Sequence, residues 1–300
     1  GASYAVGNEQ GYSSSPTLMF RVANVDIDKL IEAMEARPGL RESVKHTYSN
    51  HILSPRQNRE NIGRDRYAHF ADFVPYINQK VKENPGMFSQ WELDMMLQRG
   101  IIFMNQPHGD HVLVNSTRIP YFKGNDNREL TGAFISGRKQ VEATFRFMKA
   151  FLPGFERSFI MDTGSLLGIR ESRRITGDYI FTEKDVESYR KFDDAVVSNQ
   201  GGIEIHAADG RDTDIRELKK HDHYNVPYRS IIAKDLDNLF MAGRCFSANH
   251  PALSAARNIS YCMALGQAAG TAGAQLVRQG KEKVREIDIK SLQAQLQSIL

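Results

Sequence analysis

Asp237-Asn-Leu-Phe-Met-Ala-Gly-Arg-Cys-Phe-Ser-Ala-Asn-His-Pro-Ala-Leu-Ser-Ala-Ala-Arg257, followed directly by Asn258-Ile-Ser-Tyr-Cys-Met-Ala-Leu-Gly-Gln-Ala-Ala-Gly-Thr-Ala-Gly-Ala274, decides how this chain is read. Leu239 to Ala242 is an apolar run too short for a helix and closed by Gly243, which predicts a buried strand. A turn-rich segment runs from Gly243 to about Pro251, and a long helix is predicted from there to near Gly280. Gly266, Gly270 and Gly273 fall inside that helix, and each costs about 1 kcal/mol relative to alanine. Their presence predicts that a neighbouring backbone or a flat ligand lies close to the helix surface. Strand, small-residue turn and helix N-terminus together suit an anionic or acceptor-rich ligand, because first-turn amides point at whatever sits there. From the residues alone, a glycine-packed core helix without a ligand stays open.

The rest of the composition narrows the function class. The chain has 300 residues, 41% of them hydrophobic, enough for one or two globular domains. With 39 basic against 36 acidic residues and a net charge of +3, no nucleic-acid or membrane partner is implied. Cys245 and Cys262 are the two cysteines, which argues against a disulfide scaffold or a zinc knuckle. No apolar run approaches the length of a membrane span, and Gly1-Ala-Ser-Tyr-Ala-Val-Gly7 has no signal-like character. A cytoplasmic location is the default expectation.

Working outward, residues 1 to 15 read as a loop. Thr17 to Val25 alternates, with Leu18, Phe20 and Val22 set against Met19 and Arg21, as a half-buried strand does. Asp26 to Arg37 reads as an amphipathic helix through Ile27, Leu30, Ile31 and Met34, stopped by Pro38-Gly39. His46 to Arg66 shows little periodicity. Helices are expected over Phe70 to Lys82 and Ser89 to Leu97, with Asn84-Pro85-Gly86 between them, and over Thr131 to Ala150. Gly100 to Asn105 and His111 to Asn115 read as a hairpin around Pro107-His108-Gly109-Asp110. Lys281 to Leu300 reads as a charged link and an amphipathic helix through Leu292, Leu296 and Ile299.

A second unusual stretch is Leu167-Gly-Ile-Arg-Glu-Ser-Arg-Arg-Ile-Thr-Gly-Asp-Tyr-Ile-Phe-Thr182. As a strand it would set Arg170, Ser172 and Arg174 on one face and Ile169, Glu171, Arg173 and Ile175 on the other. Three arginines and a glutamate so close together cannot all be buried unpaired; they pair, face water or face an anion. Thr182 and Asp185 look like a helix-capping pair. Gly201 to His206 reads as a strand with His206 at its end, either a proton-transfer group or a structural histidine. His221-Asp222-His223 with His206 raises a metal reading that no supporting ligand pattern strengthens, so no metal is expected.

Several of these stretches carry a resemblance. Tyr224-Asn-Val-Pro-Tyr-Arg-Ser230, Asp237 to Arg244, Ser247-Ala-Asn-His250 and Met263-Ala-Leu-Gly-Gln-Ala-Ala-Gly270 resemble the carboxy-terminal end of the FAD-dependent oxidoreductases. Val114 to Ile119, Pro153-Gly-Phe-Glu156, Gly168 to Ile175 and Gly201 to His206 also resemble segments of that family. The G-x-G-x-x-G fingerprint that holds a dinucleotide pyrophosphate occurs nowhere in the chain. The resemblance therefore implies the later part of such an enzyme, with an incomplete FAD site and the amino-terminal half missing.

The expected fold is mixed α/β, a substrate or cap domain plus the returning portion of a Rossmann-like FAD-binding domain. Residues 1–16 would be a remnant of the FAD-binding domain, 17–223 the substrate domain, 224–280 the returning FAD-binding part and 281–300 a terminal helix. The resemblance implies cofactor contacts at Ala242, Gly243, Arg244, Ser247, Asn249, Arg257, Asn258 and Ile259. The helix N-terminus at Asn258 and Ile259, with Arg257, would favour negative charge on the reduced flavin. His206 and His250 are the candidates for proton transfer. Arg170 and Arg173 are the candidates for binding an acidic substrate group or polarising a carbonyl, against a structural salt-bridge network.

The implied function is hydride movement between a small organic substrate and FAD. The rival from another class is a catalytically silent substrate or interaction domain, which pairs with another copy or with the missing half. A hydrolase built on Ser247 and His250 lacks the G-x-S-x-G elbow.

Overall fold

The computed structural model describes residues 1–37, 40, 69–105, 110–211, 213–219 and 222–297. Strand β1 (Tyr4–Val6) precedes β2 (Phe20–Ala23) and helix α1 (Ile27–Ala36). Next come β3 (His69–Phe70), α2 (Val74–Glu83), α3 (Gln90–Arg99), β4 (Phe103–Asn105) and β5 (His111–Val114). The long helix α4 (Asn127–Phe151) leads to β6 (Phe159–Thr163), β7 (Arg173–Ile175) and α5 (Glu183–Glu187). Strands β8 (Ala195–Asn199), β9 (Ile203–His206), β10 (Thr213–Arg216) and β11 (Tyr224–Pro227) follow. Helices α6 (His250–Ala255), α7 (Ile259–Arg278) and α8 (Ile289–Gln297) close the described chain. The fold is a mixed α/β one, and no described helix is long and apolar enough to cross a membrane.

Two compact units result. One holds residues 15–120 and 130–168, and the other holds 1–14, 121–129 and 169–300. The division after residue 168 differs from the expected 223, because β8 pairs with β11 in antiparallel register, Val197 opposite Val226. That ladder ties the segment after 168 to the carboxy-terminal region.

The unit beginning at residue 15 is built on an antiparallel sheet in the order β3-β4-β5-β2-β6. Its pleat follows the alternation in the sequence. Phe20 and Val22 lie opposite Val114 and Val112 and are buried with them, while Arg21 faces outward and pairs with Asp162, Nε to Oδ1 at 3.0 Å. The expected hairpin is β4 and β5, and its turn over 106–109 lies outside the described residues. After β5 the backbone leaves the ladder, and buried polar side chains take over as partners. Ser116 bonds both N–H and C=O of Ile102, Thr117 does the same for Leu18, and Gln140 on α4 does it for Arg118. Each satisfies two main-chain groups that burial would otherwise strand.

Local signals set the helix ends here. Asp26 accepts from Lys29 N at 2.9 Å and caps α1, whose Leu30, Ile31 and Met34 are buried. Ser89 and Glu92 form a reciprocal capping box at the start of α3. Gly154 receives Asp26 N at 2.9 Å, and a Cβ there would stand 2.1 Å from Asp26 O at φ +88. A glycine is what lets the chain after α4 lie against the start of α1. The aperiodic stretch His46 to Arg66 falls outside the described residues.

The other unit has three two-stranded antiparallel ladders, β1–β7, β9–β10 and β8–β11. Its core packs Phe181, Tyr224, Val226, Ile231, Phe246 and Leu265. Thr182 and Asp185 pair at the start of α5, as the sequence predicts: Asp185 Oδ2 accepts from Thr182 N and from Thr182 Oγ1, both at 2.9 Å.

Two expectations need correction in this unit, and a third is narrowed to its ligand alternative. Leu239 to Ala242 is not a regular buried strand. It makes one isolated bridge, Phe240 to Ile232, and Met241 alone of the four is buried. Its partner, Ile231 to Ala233, extends too briefly for a ladder, with Met241 N bonding Ile231 O at 2.8 Å and Ala233 N bonding Leu239 O at 3.1 Å. The long helix is divided into α6 and α7, because Asn258 is extended (φ −66, ψ 152) and restarts the helix. Finally, α7 buries Tyr261, Leu265, Ala268, Ala272 and Leu276, and the interior glycines lie off that face. A Cβ on Gly266 or Gly270 would meet no described atom within 4 Å, and one on Gly273 would meet Phe240 at 3.8 Å. Helix α8 buries Leu292 and Leu296, and Ile299 lies outside the described residues.

Candidate functional site

The turn after Leu239 to Ala242 and the start of α7 enclose one side of a cavity of about 640 Å³. Ala242, Gly243, Arg244, Arg257 and Ile259 line it, all of them expected cofactor contacts, together with Ser172 from the arginine-rich stretch. Gly243 is left-handed at φ +70 and opens a short 3-10 turn, a conformation that a side chain would strain. Arg244 is exposed and donates to the main-chain O of Ile169.

Helix α7 begins at the edge of this cavity. Asn258 is its N-cap residue but makes no side-chain cap hydrogen bond, so the first-turn amides of α7 receive no acceptor from it. Twenty residues of aligned peptide dipoles then present positive potential at Ile259. Arg257, whose Nη2 donates to Glu204 O at 3.3 Å, adds a full positive charge beside it.

Ser247 and Asn249 stand apart from the cavity lining. Ser247 is buried, its N–H donates to Ser230 O at 2.9 Å and its C=O accepts from Phe181 N at 3.0 Å. Asn249 Oδ1 accepts from Ala252 N at 3.0 Å and caps α6, while its Nδ2 donates to Glu183. Main-chain pairing holds the first residue, and capping holds the second.

The arginine-rich stretch departs from the strand reading at the residues that matter most. Residues 171 and 172 are irregular, and β7 starts at Arg173, where it pairs with β1. Arg173 is exposed and stacks its guanidinium 5.4 Å from the Tyr4 ring, and Arg170 is half-buried. Neither lines the cavity. Glu171 and Arg174, predicted on opposite faces, are instead both buried and form an ion pair. Arg174 also donates to Ala248 O at 2.8 Å and to Gly7 O at 2.9 Å. Burial lowers its pKa to about 10, which leaves it charged at neutral pH.

Glu171 gathers further partners. Its Oε2 accepts from Ser14 N at 3.2 Å and lies 2.6 Å from His250 Nδ1. His250 is the first residue of α6, and its side chain is 13% exposed. Burial, then the positive charges of Arg174 and Arg257, push its pKa down to about 4. The Glu171 charge is balanced by Arg174, so the imidazole stays neutral instead of pairing as a cation. His206, the other histidine candidate, is buried in the β9–β10 ladder with Nδ1 3.2 Å from Thr213 Oγ1 and Nε2 3.4 Å from Glu204 Oε1. His206 does not line the cavity. Of the residues in the other metal reading, His221 lies outside the described residues.

Glu171 and Arg174 are the residues that sequence reasoning passed over. The signal was present, since so dense a charged run demanded pairing. What hid the partners was the break in strand geometry at 171–172, which puts residues of opposite parity side by side.

A comparison with protein families matches residues 1–296 to the family described as FAD dependent oxidoreductase. No curated protein and no solved structure matched the chain. The family match runs over nearly the whole chain, through the cavity turn, the buried charge cluster and α7 alike, and the protein belongs to the FAD-dependent oxidoreductases.

Proposed function

We propose that this chain carries the flavin-ring site and substrate-side residues of an oxidoreductase that moves a hydride between a small organic molecule and FAD. The observation that carries this reading is the cavity at the N-terminus of α7, with Gly243, Arg244, Arg257 and Ile259 in its lining. Its donors fit the group. A flavin ring offers carbonyl oxygens and gains negative charge on reduction, and uncapped helix amides beside two arginines favour both. Bound FAD would supply the hydride chemistry itself, and the protein's share is binding, orientation and electrostatics. Ala242 and Gly243 leave the cavity wall free of bulk, and Arg257 and the first turn of α7 would hold the cofactor's acceptor groups.

A titration of the purified chain with riboflavin and, separately, FAD tests this. A ring site predicts saturable changes in flavin absorbance with both, at affinities within about ten-fold, because the chain has no pyrophosphate fingerprint. Arg257→Met should weaken both by about ten-fold or more, the worth of one charge-assisted hydrogen bond. If neither flavin binds, or if Arg257→Met changes nothing, this reading of the cavity is lost. A second reading, a substrate or interaction domain that holds no FAD on its own, has its support in α7. Ile259, Met263 and Val277 are 81%, 69% and 79% exposed there, beside the uncovered Gly266 and Gly270. A chain that ignores both flavins favours that alternative.

A further inference from the structure

The buried cluster of Glu171, Arg174 and His250, outside the cavity's lining, contains a device that the flavin reading does not need. We infer that Glu171 is a positioning residue that fixes His250 in a single tautomer, protonated at Nδ1, and so presents Nε2 as a hydrogen-bond acceptor to a ligand carrying an O–H or N–H group. This rests on the proposed function only for the identity of that ligand.

Three observations carry it. First, the Glu171 carboxylate has little freedom: one oxygen faces the Arg174 guanidinium, the other accepts from Ser14 N at 3.2 Å, and the side chain is 1% exposed. Arg174 is itself anchored on Ala248 O and Gly7 O, so the carboxylate is held from three chain segments. Second, the 2.6 Å contact between Glu171 Oε2 and His250 Nδ1 needs a proton between the two atoms, and a carboxylate paired to an arginine is an acceptor. The proton therefore belongs to Nδ1. Third, the hydrogen bond of the His250 ring to the described residues is the one at Nδ1, and the ring retains access to solvent. A neutral imidazole with one nitrogen committed as a donor has the other free as an acceptor.

The charged groups around His250 keep it in that state. Glu171 faces it from the stretch entering β7 and Arg174 from β7 itself, and Arg257 acts on it from the segment between α6 and α7. Two cations against one carboxylate, together with burial, oppose a third positive charge on the ring. The α6 helix starts at His250 and is capped by Asn249, which fixes the backbone from which the ring projects.

The test uses the whole chain labelled with nitrogen-15 histidine, without any flavin, so that its outcome is independent of whether the cavity binds one. The His250 resonances are assigned by their loss in His250→Asn among the nine histidines. At pH 7 the expected spectrum has Nδ1 protonated and Nε2 unprotonated, by about ten-fold or more over the other tautomer, the bias that a charge-assisted hydrogen bond supplies. Because Glu171→Gln leaves Arg174 buried without its counter-charge, the variant used is Glu171→Gln with Arg174→Met, which removes both charges together. In that folded double variant the tautomers should approach equal population. Two results would overturn the inference: a wild-type ring that is cationic or protonated at Nε2, or a folded double variant that keeps the wild-type ratio. A purely structural Glu171 would change stability and leave the tautomer ratio as it was.

Discussion

Gly137 on α4 and Gly270 on α7 look alike in sequence, each a glycine in the middle of a long helix, and the protein uses them in opposite ways. A Cβ on Gly137 would stand 3.0 Å from Leu18 Cβ, whereas one on Gly270 would meet nothing described within 4 Å. The first glycine is explained by its own unit, where α4 closes onto the segment leading into β2. The second is not explained by packing within the described chain. Along the face of α7 that carries Gly266 and Gly270, Ile259, Met263 and Val277 are exposed as well. A helix pays about 1 kcal/mol per interior glycine, and a face with no occupant in the chain makes sense when something flat or close must lie on it.

The largest expected effect comes from the tightest glycine. Gly154→Ala adds a Cβ 2.1 Å from Asp26 O in a left-handed conformation, and the unit beginning at residue 15 should lose on the order of 3 kcal/mol or more. Hydrogen exchange resolves the loss by unit, with α1 and α4 losing protection before α7. Uniform loss across both units would mean that they do not hold independent cores.

Gly137→Ala comes next. Its helix-propensity gain is outweighed by the overlap with Leu18, and urea unfolding should show a net loss of about 1 kcal/mol. A stabilised variant would show that Leu18 yields freely, and the contrast between the helices would narrow.

The smallest effect sharpens the comparison most. Gly270→Ala in the chain alone should raise stability by up to about 1 kcal/mol, since its Cβ meets open space. With saturating flavin the sign tells what the face is for. An unchanged gain leaves that surface uncovered by the ligand, and a reversal places the ligand, or whatever it orders, against the helix. Unfolding curves with and without flavin decide between them.

Much of the local structure was legible before the fold was known. The alternation of Leu18, Phe20 and Val22 against Arg21 produced β2 with the expected buried face, shortened to Phe20–Ala23. Helices start beside Asp26 and Ser89, the first residues of their expected spans, and Thr182 with Asp185 opens α5 as the capping pair expected there. Leu239 to Ala242 was less legible, because apolar character predicts burial but a strand also needs a neighbour of sufficient length, and Ile231 to Ala233 provides a single bridge. Of the expected cofactor contacts, five line one cavity, while Asn258 precedes α7 without a side-chain cap bond, Ser247 is held in the core and Asn249 caps α6.

What the sequence determined by itself is what short-range chemistry controls: helix caps, strand alternation, the turn glycines, and the motifs that mark a FAD-dependent oxidoreductase. What the tertiary structure decided is which charges meet. Glu171 and Arg174 pair because the backbone is irregular at 171–172, and His250 joins them from 79 positions away in the chain. Residue types alone could require that such buried charges be satisfied. The choice of Arg174 over Arg170 or Arg173 depended on which one the fold removed from water, since a buried carboxylate costs far more without a partner than an exposed arginine does.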